Sequence, residues 1–534
     1  MEVRIRTGRT MPTVRPGPLV LLLAASIAVA SCGDGINEGV NEGRAPRGTI
    51  DGVVLHTPDS DLATDTTASG GAHLPSPAPD AAFGWSTISA GIQEGHLDVP
   101  MDYADPSAGT FSLYVVRHLA QDPARRIGTL LVNPGGPGAG GSDFGLNAGD
   151  IYARDLLDRF DIVGWDPRGT GLTEPAVDCV TNDDRYFSID SSPDTPAEQQ
   201  LLVSRAQEFA AACQKNNGDR LGHVGTADSA RDMDSIRRAL GERRISYFGF
   251  SYGSELGSTW ATMFPDTVRA AVFDGAIDPT VGTLARDLEQ AAGFEQELDR
   301  LLASCSADRS CPFSNGGHAE RAFDRLDALV EAHPVSSRKA GRPPVNQGVL
   351  DTAIADSLYD HSSWAELEQS LANLQAGDGS GILALYDDYY GYADGEWDNS
   401  AEAFFTIGCL DDAGRVGPDD IASHAAAFAA AAPRLGRSWI AELTFCSVWP
   451  VKGPPPQPMT AKGAGPVLVI GTTGDPATPL AATRAMAGAL DDGHLLVVTA
   501  DQHTGYGVNA CVDDAVGRYL TDPTVPLPAE SSCR

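Results

Sequence analysis

The sequence predicts an α/β fold: a doubly wound, mostly parallel sheet broken by a large helical cap insertion. Three observations predict it. Short apolar runs at residues 127–133, 160–165 and 245–250 read as strands buried on both faces. Stretches with helical periodicity alternate with them, as in a parallel sheet with crossover helices. From about residue 278 to 457 helical stretches dominate, after which the alternation returns at 466–470 and 495–499.

In chain order, Arg4, Arg6, Arg9 and Arg15 form a basic start, followed by an apolar run of 12 residues, 19–30. That run is too short to cross a bilayer and suits the apolar region of a signal peptide. Translation from Met11 would give a more typical leader. Val29-Ala30-Ser31-Cys32 resembles a bacterial lipobox, in which cleavage before Cys32 frees a thiol for acylation; ordinary secretory cleavage nearby is the alternative. Residues 1–31 are therefore expected to be a signal peptide. Residues 32–82, rich in Gly, Asp, Thr, Ser and Pro, are expected to be a flexible tether.

The first part of the core is expected at 83–277. Residues 97–101 and 111–118 open it as an antiparallel pair. Residues 228–240 and 252–264 read as helices flanking the 245–250 strand, and 270–273 as the next strand. The insertion is expected at 278–457, with helices at 284–303 and 319–332 and tyrosines at 386, 389, 390 and 392. The core resumes at 458–534. An insertion at this point lies over the C-terminal ends of the strands, where such sheets bind ligands.

Net charge is −34 over 534 residues, which excludes nucleic acid as a partner, since a backbone binder needs a basic stripe. Of nine cysteines, eight remain after Cys32: Cys179, Cys213, Cys305, Cys311, Cys409, Cys446, Cys511 and Cys533. An even set in an exported chain implies disulfides, and nearest-neighbour pairing is the simplest of 105 connectivities. No Cys/His cluster has zinc spacing, so no metal site is expected.

Gly249-Phe250-Ser251-Tyr252-Gly253 matches G-x-S-x-G, a strained strand-to-helix turn that exposes a serine nucleophile, the elbow of α/β-hydrolases. A buried strand before it and a helix after it favour that reading over a plain turn. A serine hydroxyl needs an adjacent base, and the base an orienting acid. The fold's order is Ser, acid, His. Asp475 follows the 466–470 strand and His503 follows the 495–499 strand, 28 positions on. Asp501 is a weaker rival acid, too near His503 along the chain. Oxyanion donors are expected from the Tyr252 N–H and from Asn133-Pro-Gly-Gly-Pro-Gly-Ala-Gly-Gly141. That loop is not a phosphate cradle, because it lacks G-K-S/T and holds two prolines without N–H groups.

Asn133-Pro-Gly-Gly-Pro-Gly138, Gly164-Trp-Asp-Pro-Arg-Gly-Thr-Gly171, Gly249-Phe-Ser-Tyr-Gly-Ser254 and Gly474-Asp-Pro-Ala-Thr-Pro479 together resemble the tripeptidyl aminopeptidase branch of the prolyl-aminopeptidase-like serine peptidases. The resemblance runs from about Leu97 to the C-terminus. It implies Gly136 as the second oxyanion donor, a TAP-like C-terminal segment carrying Asp475 and His503, and release of short peptides, tripeptides above all, from free N-termini. Pro134 stands where the family's His-Gly-Gly-Pro-Gly version has histidine, and Thr504 departs from the more usual His-Gly ending. No cofactor is required. The substrate's ammonium, partly buried under the insertion, needs a carboxylate partner; Asp411 and Asp412, beside Cys409, are the candidates. The expected place of action is outside the cytoplasmic membrane, secreted or held by a lipid anchor alone. Two rivals stay open: an esterase or lipase on the same fold, and a non-catalytic peptide-binding envelope lipoprotein.

Overall fold

The computed structural model describes residues 82–412, 414–455 and 457–534. The expected signal peptide (1–31), Cys32 and the tether up to residue 81 lie outside the described residues.

The apolar runs become strands β1 (Ser86–Ser89), β2 (Ile92–Pro100), β3 (Thr110–His118), β4 (Gly128–Asn133), β5 (Phe160–Trp165), β6 (Ile245–Phe250), β7 (Val268–Asp274), β10 (Val467–Thr472), β11 (Gly493–Val498) and β12 (Glu530–Cys533). A small hairpin, β8 (Tyr392–Ala393) and β9 (Glu396–Trp397), stands apart. The ten strands form one sheet in the order β1-β2-β3-β5-β4-β6-β7-β10-β11-β12. Pairing is antiparallel from β1 to β5 and parallel across the rest. Every residue of β4 and β6 is buried, as a strand covered by helices on both faces requires. The strand order reverses between β4 and β6, and the loops leaving their C-terminal ends face each other across that crevice. This is the α/β-hydrolase fold.

Between β7 and β10 the chain is helical apart from the β8–β9 hairpin. The main helices are Thr283–Ala307, Ala319–Ala332, Gln347–Leu358, Trp364–Gln375, Ser380–Tyr390, Ser400–Asp411 and Trp439–Ser447. The structure adds a second excursion that sequence reasoning left inside the core. Between β5 and β6, Thr195 and Glu198 form a capping box that starts the helix Pro196–Asn217, with Pro196 in its first turn. Phe209 of this helix meets the rings of Phe405, Phe445 and Trp449, and Phe187 stacks on Tyr390 and Phe405. Helix Pro196–Asn217 therefore packs on the insertion and belongs to the cap.

Disulfides join Cys179–Cys213, Cys305–Cys311, Cys409–Cys446 and Cys511–Cys533. The first closes the β5–β6 excursion. The third pins helix Ser400–Asp411 to helix Trp439–Ser447, and the last ties helix Ala510–Thr521 to β12. Buried Glu402 joins the two excursions by accepting the Cys179 and Val180 N–H groups at 2.9 and 2.7 Å, and burial pushes its carboxyl up to about 7.

Candidate active site

β6 delivers Ser251 into a turn that strains it: φ is 59° and ψ −122°, a region L-residues avoid. The turn closes only because Gly249 has no side chain; a Cβ there would lie 2.4 Å from the Gly253 carbonyl oxygen. Helix Tyr252–Met263 begins at once. Ser251 is 1% exposed, and its Oγ has no hydrogen-bond partner among the described residues.

The loops after β10 and β11 bring Asp475 and His503 together. His503 Nδ1 lies 2.8 Å from Asp475 Oδ1 and 2.9 Å from Oδ2. Asp475 also accepts the Ala477 N–H at 3.0 Å, the Thr478 N–H at 2.7 Å and the Thr478 hydroxyl at 3.0 Å. A carboxylate so supplied with donors is held fixed, in place to orient an imidazole. The rival acid, Asp501, is half exposed and faces Arg300 at 3.7 Å.

Several groups that hold this arrangement escaped the sequence. The Asp274 carbonyl, at the end of β7, accepts the Ser251 N–H at 2.7 Å. Its carboxylate accepts the Gly505 and Tyr506 N–H groups, both at 2.7 Å. One fully buried residue thus ties the nucleophile turn to the histidine loop, and burial raises its carboxyl to about 7. The cap contributes too. The Tyr359 carbonyl accepts the His503 N–H at 2.9 Å, and the Tyr359 ring stands edge-on to the imidazole. Helix Thr283–Ala307 braces the acid loop: Gln290 donates to the Ala477 carbonyl at 2.9 Å, Arg300 to that of Gly474 at 3.2 Å, and Gly293 abuts Pro476.

Asp274 is a positioning residue on this geometry. Asp274→Asn turns an amide NH2 toward one of the two loop N–H groups and loosens the histidine loop. The expected result is a kcat lower by about 10- to 100-fold, since displacement of a reacting group by ~1 Å has that effect. KM should stay near the wild-type value, so steady-state kinetics separate this from general damage; an equal change in both parameters would contradict it.

The oxyanion loop after β4 runs beneath helix Ser400–Asp411. Asn133 Oδ1 accepts the Gly135 N–H at 3.0 Å, and Asp166 accepts the Ser142 N–H at 3.0 Å at the far end. In the same motif as Asp166, Arg168 is wholly buried and donates to Asp232, Met101, His223 and Pro100, so that stretch is structural.

Gly136, Pro137, Tyr252 and Thr478 line a cavity of about 160 Å³ whose remaining walls are strongly acidic. Glu255, Asp278, Asp287, Glu289, Asp411, Asp412 and Glu442 line it, with Arg286 as the one cationic side chain among the described residues. Asp411 is committed elsewhere: it accepts the Thr226 N–H at 3.0 Å and the Thr226 hydroxyl at 2.6 Å, and that hydroxyl also meets the Tyr252 hydroxyl. It caps helix Thr226–Ala239 and at the same time lines the cavity, so it serves the fold as well as the acidic wall. Burial raises the Asp411 carboxyl to about 7 and raises that of Asp412. Asp287 is raised well above the usual range by burial and by the neighbouring Glu442 and Asp412 carboxylates. These acids come from four separate helices and the loops beside them, so no local motif announces them.

Among the described residues, the side chains close enough to share a metal are Cys305, Cys311 and Glu368, and the two sulfurs are already bonded to each other.

Known proteins agree with this architecture. A model of TAP-like proteins matches residues 432–533. The serine protease Hip1 of Mycobacterium tuberculosis is 33% identical over 468 residues, covering 84% of this chain and 88% of that protein. The chain belongs to the TAP-like family of α/β-hydrolases. Carboxylesterase B of the same organism is 36% identical over 445 residues, covering 80% of this chain and 84% of its own. A tripeptidyl aminopeptidase of Streptomyces lividans is 29% identical over 477 residues, covering 83% of each. This TAP-like chain is accordingly a serine hydrolase.

Proposed function

We propose that the chain is a serine exopeptidase that releases short peptides, tripeptides foremost, from free N-termini. The observation that carries this reading is the cavity bordered by Gly136 and Tyr252, which among the described residues is lined by seven carboxylates and one guanidinium. Buried carboxylates crowded together are costly unless a cation joins them. An α-ammonium is such a cation, and a peptide held by its N-terminus presents its carbonyl at Gly136 and Tyr252. An ester or lipid substrate gives these acids nothing to bind.

In this mechanism His503 takes the Ser251 proton as Oγ attacks the scissile carbonyl. The N–H groups of Gly136 and Tyr252 stabilise the oxyanion, and Asp475 stabilises the imidazolium. The tetrahedral intermediate collapses, the C–N bond breaks, and His503 gives its proton to the leaving amine. Water, deprotonated by His503, then cleaves the acyl-enzyme and regenerates the serine.

The test compares a tripeptidyl amide with its N-acetylated twin. Acetylation removes the positive charge that the acidic wall would attract, so kcat/KM should fall by about 100-fold or more. Equal values would overturn amine recognition and favour an endopeptidase or esterase.

The protein acts, on this proposal, outside the cytoplasmic membrane. Support comes from the apolar run ending in Val29-Ala30-Ser31-Cys32 and from four disulfides, which persist in oxidising compartments. One acyl chain anchors only marginally, so acylation at Cys32 must supply more than one. Cys32→Ser should move the protein from the membrane to the soluble fraction; unchanged partitioning would refute the anchor.

A further inference from the structure

A second cavity, of about 130 Å³, lies inside the cap and shares Gln290, Phe404 and Glu442 with the acidic one. It is roughly ten times the space one water needs. Its walls are aromatic where the first cavity's are acidic: Phe294, Tyr389, Phe405, Trp439 and Phe445 among them. Both excursions of the cap build it, since Phe187 and Leu202 come from the β5–β6 segment and the others from the insertion. Tyr359, whose carbonyl holds the His503 N–H, lines it as well.

We infer that this aromatic cavity is the subsite for the side chain of the substrate's N-terminal residue, and that it selects aromatic or large aliphatic side chains. The inference rests on the exopeptidase reading. In a free N-terminus the ammonium and the first side chain branch from the same Cα. Carboxylates that hold the ammonium therefore fix where that side chain points. Glu442 borders both cavities, and Asp287 is close enough for the Glu442 charge to act on its carboxyl. An ammonium between Asp287 and Glu442 places its own side chain at the mouth of the aromatic cavity, while the chain runs back toward Gly136 and Tyr252. Gln290, tethered to the Ala477 carbonyl, and Phe404, on the helix above the oxyanion loop, form the rim between the two.

The experiment uses the full-length protein and tripeptidyl amides X-Ala-Ala with X as Phe, Leu or Ala, each free and N-acetylated. Burial of a large apolar side chain should raise kcat/KM for free Phe or Leu over Ala by about 10- to 100-fold. Ala441→Phe, which fills the cavity from helix Trp439–Ser447, should bring the Phe-to-Ala ratio down to near unity. If that variant loses both substrates through misfolding, Ala355→Leu, on helix Gln347–Leu358, takes its place with the same expected fall in ratio. No preference among the free substrates in the wild-type protein, or a ratio untouched by filling, would overturn the subsite. Equal rates on free and acetylated peptides would instead overturn the exopeptidase reading beneath it.

Discussion

Replacing Ser251 by alanine is expected to lower kcat by about four orders of magnitude or more while the protein stays folded. The size of the loss follows from the site's construction. Without the hydroxyl no acyl-enzyme forms, and only substrate binding and the oxyanion donors remain to assist water. The substitution adds no new strain, because alanine keeps the Cβ that the turn at φ 59° already accommodates. It also removes an oxygen that has no hydrogen-bond partner among the described residues, so it orphans no donor or acceptor there. Thermal unfolding and kcat together check the result. A variant that folds and retains near-normal turnover would remove Ser251 from the mechanism.

Asp475→Asn is the second large effect, with kcat expected to fall by about 10³- to 10⁴-fold. The asparagine has nearly the same shape but one acceptor oxygen fewer. In either orientation its NH2 meets a donor: the Ala477 and Thr478 N–H groups on one side, the Thr478 hydroxyl and the Thr504 N–H on the other. His503 Nδ1 then faces an NH2 in place of one of the two oxygens now within 2.9 Å, and the imidazole turns to the tautomer in which the nitrogen that should deprotonate Ser251 carries a hydrogen. Raising the pH does not restore the tautomer, so a rate recovered at high pH would contradict the assignment. Asp501, half exposed and turned toward Arg300, is not placed to substitute.

Most of the fold was legible because its signals are local. The strands β4, β5 and β6 are continuous apolar runs, and the Ser251 turn is spelled out within five residues. Asp475 and His503 were legible because the fold's chain order says where to look after β10 and β11. The edge strands β1 and β12 were not, since short, largely exposed strands carry no apolar pattern. Helix Pro196–Asn217 was invisible as part of the cap because its allegiance depends on Phe209 meeting rings more than 190 positions away. The acidic cavity was half seen. Asp411 and Asp412 stood out beside Cys409, yet Thr226 occupies Asp411, while Glu255, Asp287 and Glu442 converge only in three dimensions. Asp274 gave no sign either, because it acts through the backbone of distant loops.

The proposed function makes the N-terminus of the substrate the point of attachment. The most direct measurement is mass spectrometry of the products from a peptide of about ten residues, supplied free and N-acetylated. Successive tripeptides are expected from the free peptide, and the acetylated one should remain intact. Internal fragments from both peptides, or no cleavage of either alongside hydrolysis of simple esters, would contradict it.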